Sequence, residues 1–293
     1  MRQGRIGISM SEQTVSIAGL YVHPVKSCAR IELERALVTE TGLEWDRQWM
    51  VVDEQGVFVS QRDQPRLALV RPALRASDLL LRAPGMLALH LALDAIERET
   101  TVQIWNDRVQ AGDMGDLAAQ WFSDFLGCSV RLARFDPEVR RASDSKWTGG
   151  THAYAAFADA FALLIVSSAS MAELNRRLTA RGASTVLSER FRPNLVLEGL
   201  STHEEDWIDR IEFDSADGPV VLRLVKPCAR CSIPDVDPQR GEVDHAVGAE
   251  LATYRADARM NGQVTFGMNA IVEQGIDRWL HAGASGRATV RFD

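Results

Sequence analysis

Cysteine and lysine are both scarce in this chain, and each scarcity excludes something. Four cysteines among 293 residues are too few and too scattered for a disulfide framework, which points to a reducing, cytoplasmic setting. Lysine occurs only at Lys26, Lys146 and Lys226, so nearly all the basic character is arginine. No excess of positive charge exists either: the formal net charge is -7 and the pI about 5.5, which argues against nucleic acid or an anionic membrane as partner. The longest apolar run near the middle, Ala160 to Val166, is far too short to cross a bilayer. The first ten residues lack the apolar core of a secretion signal, so a soluble protein with no membrane partner is expected. There is no GxGxxG or Walker loop, no HExxH, no GxSxG and no second CxxC to complete a zinc ribbon. The histidines, His23, His90, His152, His203, His245 and His281, are too dispersed for a multi-histidine metal site. The composition that remains, 46% hydrophobic and 25% charged residues, suits a substantial core in one large domain or two ordinary ones.

The pattern is many short strands and few helices. Strands are expected at Val15 to Val25, Leu33 to Val38, Met86 to Leu91, Thr101 to Trp105, Asn194 to Leu197, Arg210 to Phe213 and Val220 to Val225. Trp49 to Asp53 and Val57 to Ser60 flank Glu54-Gln55-Gly56 as a hairpin, and Asn106-Asp107 is a further turn. Leu117, Trp121, Phe122 and Phe125 recur at helical spacing before Gly127. A second helix is expected to start at Ser170, with Glu173 completing a capping box, and to stop at Gly182. The polar stretch Asp136 to Gly150 reads as a boundary or mobile connection. These patterns predict a β-rich, barrel-like core rather than a doubly wound sheet.

The chemistry-bearing residues are dispersed. Pro227-Cys228-Ala229-Arg230-Cys231 places two thiols three residues apart beside an arginine, after an apolar strand. That setting favours thiolate, the form that binds soft metals, or simply holds two small buried residues at a turn. His23-Pro24-Val25-Lys26-Ser27-Cys28 offers a cation and a hydroxyl at a strand end. Arg47, in Trp45-Asp46-Arg47-Gln48-Trp49, is suited to an anion, to Asp46 or to a tryptophan face, and the same holds for Arg62 after Gln61. Ser167, Ser168 and Ser170 stand where a helix start would bind an anion or merely be capped. Arg190-Phe191-Arg192-Pro193-Asn194 adds two cations and an amide. Together they form a set of anion contacts plus one soft thiolate, which suits a bulky anionic cofactor carrying a soft metal.

In order along the chain, Tyr21–Cys28, Asp46–Val52, Gln64-Pro65-Arg66-Leu67, Leu163–Ser170, Phe191–Val196 and Pro227–Cys231 with Asp237-Pro238 resemble one family. It is the MOSC-domain proteins with an N-terminal MOSC-type β-barrel, among them the mitochondrial amidoxime-reducing components and their bacterial counterparts. The resemblance implies an α+β, β-rich fold: an N-terminal barrel domain at 14–135 and a MOSC β-barrel domain with peripheral helices at 150–293. It further implies a molybdenum cofactor, a phosphate-bearing pterin dithiolene whose metal is held by Cys231, with Cys228 behind it and Arg230 facing the cofactor. Lys26, Ser27, Arg47 and Arg62 would hold the pterin and its phosphate from one side. Ser167, Ser168, Arg192 and Asn194 would do so from the other, although the family often has an acidic residue where Ser168 stands. The implied activity is the two-electron reduction of small N-hydroxylated compounds such as amidoximes and hydroxylamines. Some bacterial relatives carry a C-terminal iron–sulfur domain, but no cysteine follows Cys231 here. Electrons are therefore expected from a separate protein, such as a ferredoxin, a small cytochrome or a flavin reductase. The alternative within the family is a non-catalytic molybdopterin or sulfur carrier. Outside it, the two cysteines would be a redox dithiol or half a zinc site, though Pro234 and Pro238 disfavour the helix that a thioredoxin-like motif opens.

Overall fold

The computed structural model describes residues 12–291; the first ten residues, whose composition argues against a secretion signal, lie outside that range. Seven strands close a barrel: β1 (Glu12–Val22), β2 (Leu163–Ser167), β3 (Leu195–Glu198), β4 (Ile208–Phe213), β5 (Val220–Ala229), β6 (Gln263–Gln274) and β7 (Ser285–Val290). Around it the order is β2-β3-β1-β7-β4-β5-β6, and β6 pairs back onto β2 with Leu163 opposite Ala270. Closure leaves no free edge among these strands. Only β2 and β3 run parallel, and the helix Ser168–Ala180 makes the crossover that parallel neighbours need. Inside the barrel Val15, Ile17, Leu20, Leu195, Leu197, Ile211, Phe213, Leu222 and Ala270 are almost wholly buried. Each such large side chain contributes on the order of 1.5–3 kcal/mol relative to an exposed one.

Arg35–Thr39 pairs with Trp279–His281 against the barrel, and the N-terminal residues from Trp45 on build a second, smaller body. One sheet has four strands, Trp49–Val52, Arg131–Phe135, Asp107–Asp113 and Arg98–Ile104; another has three, Arg71–Leu74, Asp78–Arg82 and Leu89–Ala92. The helix Asp116–Leu126 buries Phe122 and Phe125 between them and ends on Gly127 at φ 74, as its spacing predicts. The chain's first strand does not stay with this body. β1 pairs antiparallel with β3 and β7, so the N-terminal segment is woven into the seven-stranded barrel.

Three local expectations shift. The helix starts at Ser168 and its cap is Ser167, whose Oγ accepts from the Ser170 N–H at 3.1 Å. Glu173, expected in a capping box, instead accepts from Arg176 and Arg177. Trp105 belongs to a two-residue hairpin turn, since Ile104 pairs with Asp107, rather than to a strand. β5 runs on to Ala229, but its register against β6 shifts after Leu224 and again after Pro227. Proline has no N–H to give the ladder, so a regular pairing cannot pass through Pro227. Among the described residues no helix is long and apolar enough to cross a membrane.

Closure between β2 and β6 depends on Gly267, at φ 76, where an added Cβ would lie 2.7 Å from the Ile165 carbonyl oxygen and 2.8 Å from Val166 Cγ2. Gly267→Ala should therefore lower stability by about 2–4 kcal/mol, from backbone strain plus the clash. A urea denaturation midpoint equal to that of the wild type would contradict this role.

Candidate functional site

A cavity of about 210 Å³ opens between the two bodies. The segment after β1 supplies Lys26 and Ser27, the N-terminal body Arg47, Phe58, Ser60 and Arg62, and the stretch before and into β2 supplies Asp159 to Leu164. The barrel contributes Phe191, Arg192, Asn194, Asn269 and the run Lys226 to Cys231, which spans the end of β5 and the turn beyond it. Six lining cations, Lys26, Arg47, Arg62, Arg192, Lys226 and Arg230, face a single lining carboxylate, Asp159. In a chain of net charge -7 this is a strong local inversion, and it suits an anionic ligand.

Most of these cations are held by neutral groups. Lys26 Nζ donates to the Phe157 carbonyl at 2.8 Å and to Asp159 Oδ1 at 2.5 Å. Burial lowers the Lys26 pKa, and the neighbouring carboxylate opposes that fall. Asp159 is exposed on one side; its partial desolvation pushes the carboxyl up, but the Lys26 ammonium overrides this and holds the group below the usual carboxylate range. Arg47 pairs with Asp46, as one of its sequence readings proposed, and also donates to Asn194 Oδ1 at 3.1 Å and to the Arg192 carbonyl at 2.9 Å. Arg192 Nη1 donates to the Cys28 carbonyl at 2.6 Å, while its Nη2 is buried without a partner. Burial lowers the Arg192 pKa to about 10, which leaves it charged at neutral pH. Arg230 donates to Cys228 Sγ at 3.0 Å and to the Phe191 carbonyl at 3.1 Å, and its Nε has no partner.

Backbone strain gathers here too. Ser27, Arg47 and Arg192 have φ of 68°, 49° and 58°, in the left-handed region that costs non-glycine residues about 1–2 kcal/mol each. Such strain persists where the surrounding structure fixes a side chain for function.

Eight of the ten residues singled out from sequence line the cavity: Lys26, Ser27, Arg47, Arg62, Arg192, Asn194, Arg230 and Cys231. Ser167 and Ser168 do not. Ser167 is fully buried, its Oγ capping the helix and lying 2.7 Å from Ser170 Oγ, so helix capping rather than ligand contact explains it. Ser168 is the first helical residue and lies outside the cavity wall. Asn194 is present but internally engaged: it accepts from Arg47 and the Leu164 N–H and donates to the Tyr21 carbonyl. It positions the wall. Phe58, Asp159 and Asn269 were not anticipated; the lone acid of Ala158-Asp159-Ala160, just before an apolar strand, was the available signal.

Both candidate thiols reach the cavity, Cys231 exposed and Cys228 half-buried. Among the described residues no three His, Cys, Asp or Glu side chains cluster as a metal cage, so a zinc site has no complement to the two cysteines. The donor set instead fits a group that brings most of its own ligands: two unpaired buried guanidinium nitrogens for anionic oxygens and one accessible thiol for a soft metal.

The chain is similar to known proteins over most of its length. The MOSC N-terminal beta barrel domain family matches residues 14–129 and the MOSC domain family residues 153–285. The chain is 34% identical over 254 residues to mitochondrial amidoxime reducing component 2 of Bos taurus, covering 83% of this chain and 73% of that protein. It is 33% identical over 254 residues to mitochondrial amidoxime-reducing component 1 of Mus musculus, covering 83% and 72%. It is also 30% identical over 269 residues to the molybdenum cofactor sulfurase of Homo sapiens, covering 86% of this chain but 29% of that protein.

The four thiols should differ sharply in reactivity. Cys28 is buried and its thiol is pushed up to about 12 by that burial, so it stays protonated and inaccessible, whereas Cys128 and Cys231 are exposed. Native alkylation with iodoacetamide at pH 8, followed by peptide mass spectrometry, should label Cys128 and Cys231 and spare Cys28 until the protein is unfolded. Early labelling of Cys28 would contradict the packing between β1 and the N-terminal body.

Proposed function

The chain belongs to the family that joins a MOSC N-terminal β-barrel domain to a MOSC domain, and from that premise we propose a molybdenum-cofactor-dependent reductase of small N-hydroxylated compounds. One observation carries the reading: six cations and an accessible thiol, Cys231, converge on one cavity whose sole lining carboxylate is already paired. The similarity to amidoxime-reducing components supports the substrate class, amidoximes and hydroxylamines. When bound, the molybdenum–pterin group would supply the two-electron chemistry that reduces an N–O bond, water being released as protons are taken up.

The chain's own residues bind and orient. Cys231 is the thiolate for the metal. Arg192 and Arg230, each with an unpaired buried nitrogen, are the donors for the anionic oxygens of the cofactor. Lys26 and Arg47 are fixed by carbonyls and by Asp159 and Asp46, so they supply positive potential from set positions at no reorganisation cost. Arg62 rests on the aromatic faces of Phe58 and Trp105, 5.7 and 4.6 Å from the ring centroids, at the outer part of the wall. Electrons would come from a separate electron-transfer protein.

A second reading, a non-catalytic cofactor or sulfur carrier, is favoured by the likeness to the cofactor sulfurase. The same cavity would then hold the group without turnover.

Protein purified from a host that makes the cofactor should carry near-stoichiometric molybdenum and releasable pterin. Cys231→Ser should lose metal on the order of tenfold, with Cys228→Ser milder, since only the first removes the proposed metal ligand. Reduced dye should then drive reduction of an amidoxime by the wild type. Bound cofactor with no turnover under any donor would favour the carrier, and absence of both metal and pterin from a folded, cofactor-supplied protein would overturn both readings.

A further inference from the structure

Arg141 stands where charge alone would not put it. It lies in the polar stretch Asp136 to Gly150, whose composition suggests a mobile connection, yet its side chain is only 8% exposed. It is also a further cation near the buried ammonium of Lys26, whose charged form it disfavours, as Arg47 does. Its hydrogen bonds account for the placement. Nε donates to Asp107 Oδ2 at 2.7 Å, on a hairpin of the N-terminal body. Nη1 donates to the carbonyls of Ala156 and Ala158 at 3.0 and 2.7 Å, and Nη2 to the carbonyl of Asp159 at 2.8 Å.

Those carbonyls belong to a segment with no ladder of its own. Residues 156–160 form no helix or strand although Ala155 to Ala158 are buried, so their backbone oxygens need partners from elsewhere. Arg141 takes the two that flank Phe157. The Phe157 carbonyl turns the other way, to Lys26 Nζ at 2.8 Å, and the Phe157 N–H donates to the Arg47 carbonyl at 3.0 Å. Asp159 gives its carbonyl to Arg141 and its carboxylate to Lys26. One short segment is thus clamped between a guanidinium behind the cavity wall and an ammonium within it. The flat five-donor fork makes this possible, since the three donors of an ammonium match neither the number nor the spread of these acceptors.

We propose that Arg141 is a positioning residue for the cofactor cavity: by holding the carbonyls of Ala156, Ala158 and Asp159 it fixes the Phe157 carbonyl and the Asp159 carboxylate that orient the Lys26 ammonium. The proposal takes Lys26 as a cofactor contact from the reductase reading, but the clamp itself is observable without cofactor. Only Lys26, Lys146 and Lys226 give side-chain ammonium signals in NMR of protein carrying isotope-labelled lysine. Lys26, buried and bonded twice, should exchange its ammonium protons slowest of the three. Arg141→Gln should speed that exchange on the order of tenfold, as weakened hydrogen bonds to a charged group require. Arg141→Lys, which keeps the charge, should do the same and stands in for Arg141→Gln if that variant does not fold. Asp107→Asn, which breaks the ion pair but leaves the carbonyl bonds, should change the exchange by less than about threefold. On protein from a host that makes the cofactor, the Arg141 variants should also retain roughly three- to tenfold less releasable pterin than the wild type. Lys26 exchange that is not the slowest, that the Arg141 variants leave unchanged, or that Asp107→Asn alters equally would overturn the proposal, as would faster exchange with full pterin retention. Faster exchange in the variants of a protein whose wild type holds no pterin would leave the clamp standing and defeat the cofactor reading instead.

Discussion

The cavity depends on a single electrostatic constraint: its cations are tied down mainly by backbone carbonyls rather than cancelled by carboxylates. Phe157, Arg192, Cys28 and Phe191 each lend a carbonyl oxygen to a lysine or arginine of the wall. A carbonyl satisfies the N–H geometrically but carries no net charge, so the positive field survives. Like charges brought together in a half-buried site repel by several kcal/mol at intermediate dielectric. Asp46 and Asp159 relieve part of this, one for Arg47 and one for Lys26. The remainder is a standing preference for an anion, and a ligand that binds only the folded state returns it as stability.

That constraint explains why the backbone is irregular where it is. Side chains from several elements must point at one small volume, and regular strands alternate their side chains between faces. The irregular register of β5 at Leu224/Lys226 and Pro227/Ala229 breaks that alternation, and the consecutive residues Lys226 to Cys231 all line the cavity. Left-handed φ at Ser27 and Arg47 does the same on the facing wall, as it does at Arg192 on the barrel side. Strain of about 1–2 kcal/mol at each position is tolerable because the surrounding hydrogen bonds fix it.

Sequence patterning revealed elements whose physics is local. Phe122, Phe125 and Gly127 announced a helix because spacing and a C-terminal glycine suffice. Cys228, Arg230 and Cys231 announced a site because thiols and a cation beside a proline are rare together. Ser167 and Ser168 stand outside the cavity wall: a serine at a helix start has the same signature whether it caps the helix or binds a ligand, and the full burial of Ser167 against Ser170 accounts for it by capping. Asp159 and Arg141 were illegible for another reason. Their importance comes from partners distant in sequence, Lys26 for the acid and Asp107 with the carbonyls of Ala156 and Ala158 for the guanidinium, and no local pattern encodes such a meeting.

The placement of β1 ties these observations to the architecture. The strand that pairs with β3 and β7 ends at Val22, and the next residues, His23 to Ser27, deliver Lys26 and Ser27 to the cavity. Without β1 the barrel would have open edges at β3 and β7, and exposed edges are prone to pair with other chains. Without the barrel, Lys26 and Arg47 would face no Arg192 or Asn194. The same eleven-residue strand thus completes the barrel sheet and leads into the first cation of the site. A boundary drawn between consecutive domains along the chain cuts across this unit, because the strand that opens the sequence is a structural part of the barrel that ends it.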